Sequence, residues 1–257
     1  MLLAIDVGNT NIVFGLYDGE KLGEHFRIES ARSRTADEYL VTIHSLLSLR
    51  GVDRTRVRAA ALASTVPALA DVFVRVVREG FGLEALVVGP GVKTGMPILY
   101  EQPREVGADR IVNAVAAFER VKGAVVVVDF GTATTFDVVS RKGEYLGGVI
   151  CPGVQISADA LFSRAAKLPR VEITRPPKTV GRNTIHAMHA GIVLGQAALV
   201  DGLIDRIRAE TTFDPCRVIA TGGLAKLIAP ASRTIDDVDD WLTLDGLRIL
   251  HQRNTAD

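Results

Sequence analysis

Two acids stand in the same short pattern half a chain apart, Asp6-Val-Gly-Asn-Thr-Asn11 and Asp129-Phe-Gly-Thr-Ala-Thr-Thr135. Each turn offers a carboxylate for a cation, amides and hydroxyls for phosphate oxygens, and a glycine that admits a ligand close to the backbone. In the second turn Gly131 gives that access, and Thr132, Thr134 and Thr135 supply the hydroxyls. One Asp-x-Gly turn alone reads as an ordinary hairpin bend. Two, each hung on a buried strand, point to a duplicated domain with one phosphate loop per half, the loops facing across a cleft. A third acid, Asp109, adjoins Arg110 at the start of an otherwise apolar helix, 111–121. It can complement the helix dipole or pair with Arg110, or it can serve as a general base at a cleft; spacing does not separate these roles.

The elements that must position these residues follow from the apolar pattern. Val125 to Val128 are four consecutive valines, a strand buried on both faces that ends at Asp129, and an apolar run resumes at Phe136 to Val139. Leu2 to Asp6, the first turn and Ile12 to Tyr17 repeat the arrangement, with Lys21 to Ser30 as a third, half-exposed strand mirrored by Gly143 to Ile150. An amphipathic helix over 36–50, a strand over 57–63, a helix opened by Pro67 and a buried strand over 85–88 complete an α/β alternation in the first half. Gly89 to Pro97 reads as a surface loop. In the second half come a helix over 154–165, a proline-bearing loop over 168–180, and a long helix over 184–210 capped by Asn183 or Thr184. Its Ala187, Ala190, Gly191, Gly195, Ala197 and Ala198 make a small-residue face that suits the core or a second copy equally. Cys216 to Gly223 is a strand running into a double glycine, a third place where backbone could meet a nucleotide. The acidic run 236–240 reads as a solvated loop and 242–251 as a closing helix.

Composition bounds the function. The 257 residues, 47% hydrophobic, suffice for a large core in one or two domains. Thirty basic and thirty acidic residues cancel, which argues against a broad electrostatic grip on nucleic acid or an anionic membrane. The apolar runs are of strand length and no leader pattern is seen, so neither a signal peptide nor a membrane span is expected, and the expected location is the cytoplasm. Cys151 and Cys216 lack metal spacing and fit reduced thiols, and the five histidines show no metal spacing either.

Taken together, the motifs resemble type III pantothenate kinases, a branch of the acetate kinase, sugar kinase, Hsp70 and actin superfamily. The resemblance runs through Asp6-Val-Gly-Asn-Thr-Asn, Ser64-Thr-Val-Pro, Gly91-Val-Lys-Thr-Gly, Gly107-Ala-Asp-Arg, Asp129-Phe-Gly-Thr-Ala-Thr-Thr, Gly147-Gly-Val-Ile-Cys-Pro-Gly, Gly181-Arg-Asn-Thr and Thr221-Gly-Gly-Leu-Ala. It covers nearly the whole chain. It implies an α/β fold of duplicated actin-like (ribonuclease H-like) domains, each a mixed sheet flanked by helices with a cleft between. Residues 1–118 and 119–257 would be the halves, with the boundary near the helix 104–122.

The implied activity is ATP-dependent phosphorylation of pantothenate to 4'-phosphopantothenate, the first step of coenzyme A biosynthesis. By resemblance, Asp6 holds Mg²⁺ through water, and Val7, Gly8, Asn9, Thr10, Asn11, Ile12 and Val13 form the ATP loop with Thr132 closing on the phosphates. Asp109 is implied as the general base. In a loose transition state the proton leaves late, so its positioning outweighs a raised pKa. Tyr100, Gly107, Ala108 and Arg110 are implied as the pantothenate set, with Arg110 on the substrate carboxylate. Thr184 would reach pantothenate from the neighbouring subunit of a homodimer, and Asp129 would bind the potassium or ammonium ion this type requires. Two other readings stand beside this one. Another small-molecule kinase would share the phosphate loops but, for a neutral sugar, would not need Arg110. A non-catalytic regulator that keeps the fold would be expected to lose the acids Asp6, Asp109 and Asp129, all of which are present.

Overall fold

The four valines at 125–128 are fully buried, as the unbroken apolar run requires of a central strand. In the computed structural model, which describes residues 1–213 and 215–255, they lie in β6 (Val125–Phe130), the middle strand of a five-stranded sheet. That sheet belongs to one of two compact units. The first unit comprises residues 1–116 with the chain from 242 onward, and the second residues 117–241.

In the first unit, β1 (Leu2–Val7), β2 (Asn11–Asp18) and β3 (Lys21–Glu29) form an antiparallel meander. On the other side of β1, β4 (Ala59–Ser64) and then β5 (Ala85–Val87) continue the sheet in parallel, giving the order β3-β2-β1-β4-β5. One face packs on α1 (Ala36–Leu49) and α2 (Pro67–Phe81), where Phe14, Tyr39, Ile43 and Phe73 are wholly buried. Thr35 starts α1 with a capping box, its hydroxyl accepting from the Glu38 amide while the Glu38 carboxylate accepts from the Thr35 amide.

The second unit repeats this plan. The meander of β6, β7 (Ala133–Val139) and β8 (Tyr145–Pro152) is continued in parallel by β9 (Arg217–Thr221) and β10 (Asp237–Val238), in the order β8-β7-β6-β9-β10. Even a local irregularity recurs, since in each unit the outer meander strand carries one extra residue. His25 to Leu22 spans Gly15 to Tyr17, and Gly147 to Tyr145 spans Val138 to Val139. The fold is therefore a duplicated mixed sheet flanked by helices, as expected.

Three expectations change. The sequence assigns 242–257 to the second half, but α8 (Leu242–Thr255) packs on β1, β2 and β4 of the first unit. It crosses α3 (Ala108–Val121) at Gly246, where any Cβ would collide with the Val112 carbonyl. The strand β5 is an edge and only partly covered, with Val87 39% exposed, rather than buried. The acids at 236–240 are not a solvated loop. Asp237 and Val238 form β10, Asp236 accepts the Val218 amide at 2.7 Å, and Arg120 pairs with both Asp237 and Asp239.

The long helix runs from 184 to 211 in three parts: α5 (Thr184–His189), a π-helical turn (Ala190–Leu194) and α6 (Gly195–Thr211). By length and composition it could cross a bilayer. Its apolarity is explained by packing instead, for Val193, Ala197, Val200, Ile204 and Ile207 bury one stripe among Val126, Val128 and Phe136 of the sheet.

Candidate active site

The first Asp-x-Gly turn links β1 to β2 and is held from two sides. Ser30, just past β3, donates its hydroxyl to the Gly8 carbonyl at 2.6 Å and its amide to the Thr10 carbonyl at 3.0 Å. Thr65, just past β4, donates its amide to the Val7 carbonyl at 3.0 Å, and its hydroxyl accepts from Asn9 Nδ2 at 3.4 Å. Three carbonyls of the turn, those of Val7, Gly8 and Thr10, thus have protein donors, and these peptide planes are set before any ligand arrives. Behind it, Val7 and Ile12 are fully buried. Arg32 adds a charge, its Nη2 donating to Asn9 Oδ1 at 3.2 Å. Asp6, half-buried at the end of β1, lies opposite Val13 on one side and Ala63 on the other.

The second turn is one residue shorter, since Asp129 faces Thr135 whereas Asp6 faces Val13. Gly131 and Thr132 at its tip are exposed. Two glycines fit closely around it. Gly222, at φ +90°, follows β9 at a spot where a Cβ would run into Asp129 Oδ1 and the Phe130 backbone, and Gly153 packs in the same way on the Thr132 carbonyl. Thr134, buried, accepts from Gln196 Nε2 at 3.1 Å and so faces the core, unlike Thr132. The double glycine after β9 and the Asp129 turn, separate motifs in the sequence, are neighbours here.

Asp109 occupies the first turn of α3, whose start includes Ala108. Its Oδ1 accepts the Arg110 amide at 2.9 Å. Gly107 makes this possible, because a Cβ there would stand 2.5 Å from that oxygen. Burial pushes the Asp109 carboxyl above the ordinary carboxylate range, and its bond to the Arg110 amide and the Arg110 charge offset this only in part. A raised pKa therefore accompanies the positioning expected of this acid. Arg110 is buried at 8% exposure, while Tyr100 is half-buried in the chain before α3.

Asn183 caps α5, accepting the His186 amide at 2.8 Å, which settles the choice between Asn183 and Thr184. Thr184 is exposed and lines a groove of about 550 Å³ with Ala187, Gly191, Gly195, Leu161 and Leu199. The small-residue face divides, with Ala190 and Ala197 in the core and Ala187, Gly191, Gly195 and Ala198 outside.

For metals, no cluster of three or more His, Cys, Asp or Glu side chains occurs among the described residues. A lone carboxylate at Asp6 fits Mg²⁺ held through water and substrate phosphates, the usual manner for that ion. At Asp129 the missing side chain of Gly222 leaves room beside the carboxylate oxygen, a cradle a Cβ would fill, which fits a cation liganded by a carboxylate and turn carbonyls. Sequence reasoning missed Ser30, Arg32 and Thr65. The hydroxyl residues at the ends of β3 and β4 were the available signal.

The model of one family, type III pantothenate kinase, matches residues 2–206. A type III pantothenate kinase of Pelobacter propionicus is 59% identical over 99% of this chain and 100% of its own length. One from Myxococcus xanthus is 56% identical over the full length of both. Among solved structures, a protein described as a Baf family transcriptional activator from Campylobacter jejuni aligns over 98% of each chain at a TM-score of 0.62 and 18% identity. A ROK hexokinase from Thermus thermophilus aligns over 97% of each at 0.50 and 14%. At such identities the likeness is one of fold, that of the actin-like kinases. Matched through most of its length by the family model, and end to end by relatives more than half identical, the chain belongs to the type III pantothenate kinase family.

Proposed function

We propose that this protein transfers the γ-phosphoryl group of ATP to the terminal hydroxyl of pantothenate, yielding 4'-phosphopantothenate and ADP, the first step toward coenzyme A. Within this kinase family, the observation that carries the reading is Asp109, a half-buried carboxylate of raised pKa locked onto the Arg110 amide. As the new P–O bond forms and the bond to ADP breaks, Asp109 accepts the hydroxyl proton. A base with a pKa nearer neutrality takes it more readily than an ordinary aspartate. Arg110 pairs with the pantothenate carboxylate, and Tyr100, Gly107 and Ala108 line the same substrate.

The turn of Gly8, Asn9, Thr10 and Asn11, backed by Val7, Ile12 and Val13, binds the ATP phosphates, and Thr132 binds them as well. Arg32, held on Asn9, adds a guanidinium beside the first turn. Asp6 would hold Mg²⁺ through water and Asp129 a potassium or ammonium ion; when bound, these ions neutralise phosphate charge and fix its orientation. Thr184 completes the pantothenate site of a partner copy in a homodimer. The exposed apolar groove beside it supports that reading. The reaction belongs in the cytoplasm, with no role for nucleic acid or membrane.

The test is phosphoryl transfer from ATP to pantothenate with Mg²⁺, with potassium, ammonium or sodium as the sole monovalent cation. Turnover with potassium or ammonium and little with sodium is expected. A folded protein inactive in every salt would favour another acceptor or the regulatory reading.

A further inference from the structure

At the end of β1 opposite the Asp6 turn, the first unit has a second pocket of about 260 Å³. It is lined by Met1, Tyr17, Arg58, Arg248, His251 and Gln252 among others. Four steps along an extended strand separate Leu2 from Asp6, on the order of 13 Å. The pocket is therefore distinct from the phosphate turn.

Its basic groups come from strand and helix together. The Arg248 guanidinium lies 5.8 Å from the centre of the Tyr17 ring, and its Nη1 donates to Gln252 Oε1 at 2.9 Å. Tyr17 is itself fixed, its hydroxyl donating to Asp245 Oδ1 at 2.7 Å. The Arg248 Nε is buried without a hydrogen-bond partner among the described residues. Arg58 is exposed, and its charge acts on Asp53, a carboxylate already bonded to the Thr55 amide and hydroxyl. Neighbouring Asp18 pairs with Arg56. Two arginines thus share a pocket with a histidine in a chain of zero net charge.

We propose that this pocket binds a small phosphate-bearing anion, orthophosphate or a compact phosphate monoester, through Arg58 and Arg248 with His251 as a third donor. Two guanidinium groups match the charge and several oxygens of a phosphate dianion, whereas one monocarboxylate engages a single fork. The volume lies below the roughly 300–1,000 Å³ usual for drug-sized ligands, so a whole nucleotide is excluded.

His251 supplies a local probe that the ATP site does not disturb. Its pKa is held below the ordinary histidine value by burial, with the Met1 ammonium, Arg58 and Arg248 lining the pocket and Asp245 bonded to the Tyr17 hydroxyl beside it. The full-length protein is titrated with orthophosphate, glycerol phosphate, sulfate and acetate while the His251 ring is followed by NMR. A saturable shift with either phosphate and a rise in the His251 pKa are expected, with sulfate competing and acetate inert. Tighter binding of glycerol phosphate would mark a monoester site, and tighter orthophosphate a free-phosphate site. Arg58→Ala, at an exposed position that leaves folding intact, should weaken binding about tenfold, and Arg248→Lys should weaken it less than Arg248→Ala. Pantothenate phosphorylation by Arg58→Ala should be unchanged. A His251 ring indifferent to phosphate, or a response undiminished in the Arg58→Ala/Arg248→Ala double variant, would overturn the proposal.

Discussion

At Asp109 the proposed role as base and an effect on stability meet in one side chain. Because its folded pKa is raised, the protonated acid is the form the fold prefers. Its contribution to stability is complete below the ordinary aspartate value and is lost as the pH climbs through the raised one. Asp109→Asn removes that loss, so at neutral pH the variant should unfold no earlier than the parent while phosphoryl transfer falls to background. Thermal melts at pH 5 and 8 beside the kinase assay check both halves; turnover near the parent level would dismiss Asp109 as the base. The parent's kcat/KM for pantothenate should have an acid limb above the ordinary aspartate range. Arg32 is tested by Arg32→Ala. Loss of a charge-assisted contact worth about 1.5–3 kcal/mol should lower kcat/KM for ATP roughly 10- to 100-fold with little change in melting temperature. An unaltered ATP dependence would reduce Arg32 to a tether for Asn9.

At the scale of elements, each Asp-x-Gly turn is a hairpin whose precision comes from strands beyond the hairpin. The first is pinned by Ser30 after β3 and Thr65 after β4, the second by Gly222 after β9 and Gly153 after β8. Gly222→Ala combines a left-handed φ with a collision against Asp129 and Phe130. A stability loss of about 2 kcal/mol or more in denaturant unfolding is expected. Surviving activity should respond less to potassium, since the displaced group is the Asp129 carboxylate. A fully stable variant with the parent's cation response would show that the end of β9 does not shape that site. The π-helical turn at 190–194 belongs to the same scale. It breaks the helical period between the α5 segment that bears Thr184 and the α6 segment that fills the core, letting each face its own way.

At the scale of the whole molecule, the proposed homodimer rests on one exposed face. The groove beside Thr184 exposes Leu161 and Leu199 by more than a third, next to Ala187, Gly191 and Gly195, a surface close enough to backbone for another helix to pack on. Leu199→Glu should convert a dimer to monomers in sedimentation experiments and depress pantothenate phosphorylation together with assembly. Thr184→Ala should leave assembly intact and raise the KM for pantothenate more than that for ATP. If Thr184→Ala kept the parent's KM for pantothenate, the shared site would be discarded.

The central strands, the meanders, both Asp-x-Gly turns and the Gly107 to Arg110 motif were legible in the sequence because each depends on neighbours a few residues away. A valine run, a proline at a helix start and a glycine in a tight bend carry their conformational preferences locally. What the tertiary structure decided was everything joined across long separations. Lys93 and Asn254 exchange backbone and side-chain hydrogen bonds that tie the glycine-rich loop to α8, and Arg120 draws the acids of 236–240 into a strand. Burial of Asp109 and the placement of α8 in the first unit likewise depend on which faces meet. Local pattern states that a face is apolar. Only the folded chain selects the surface that covers it.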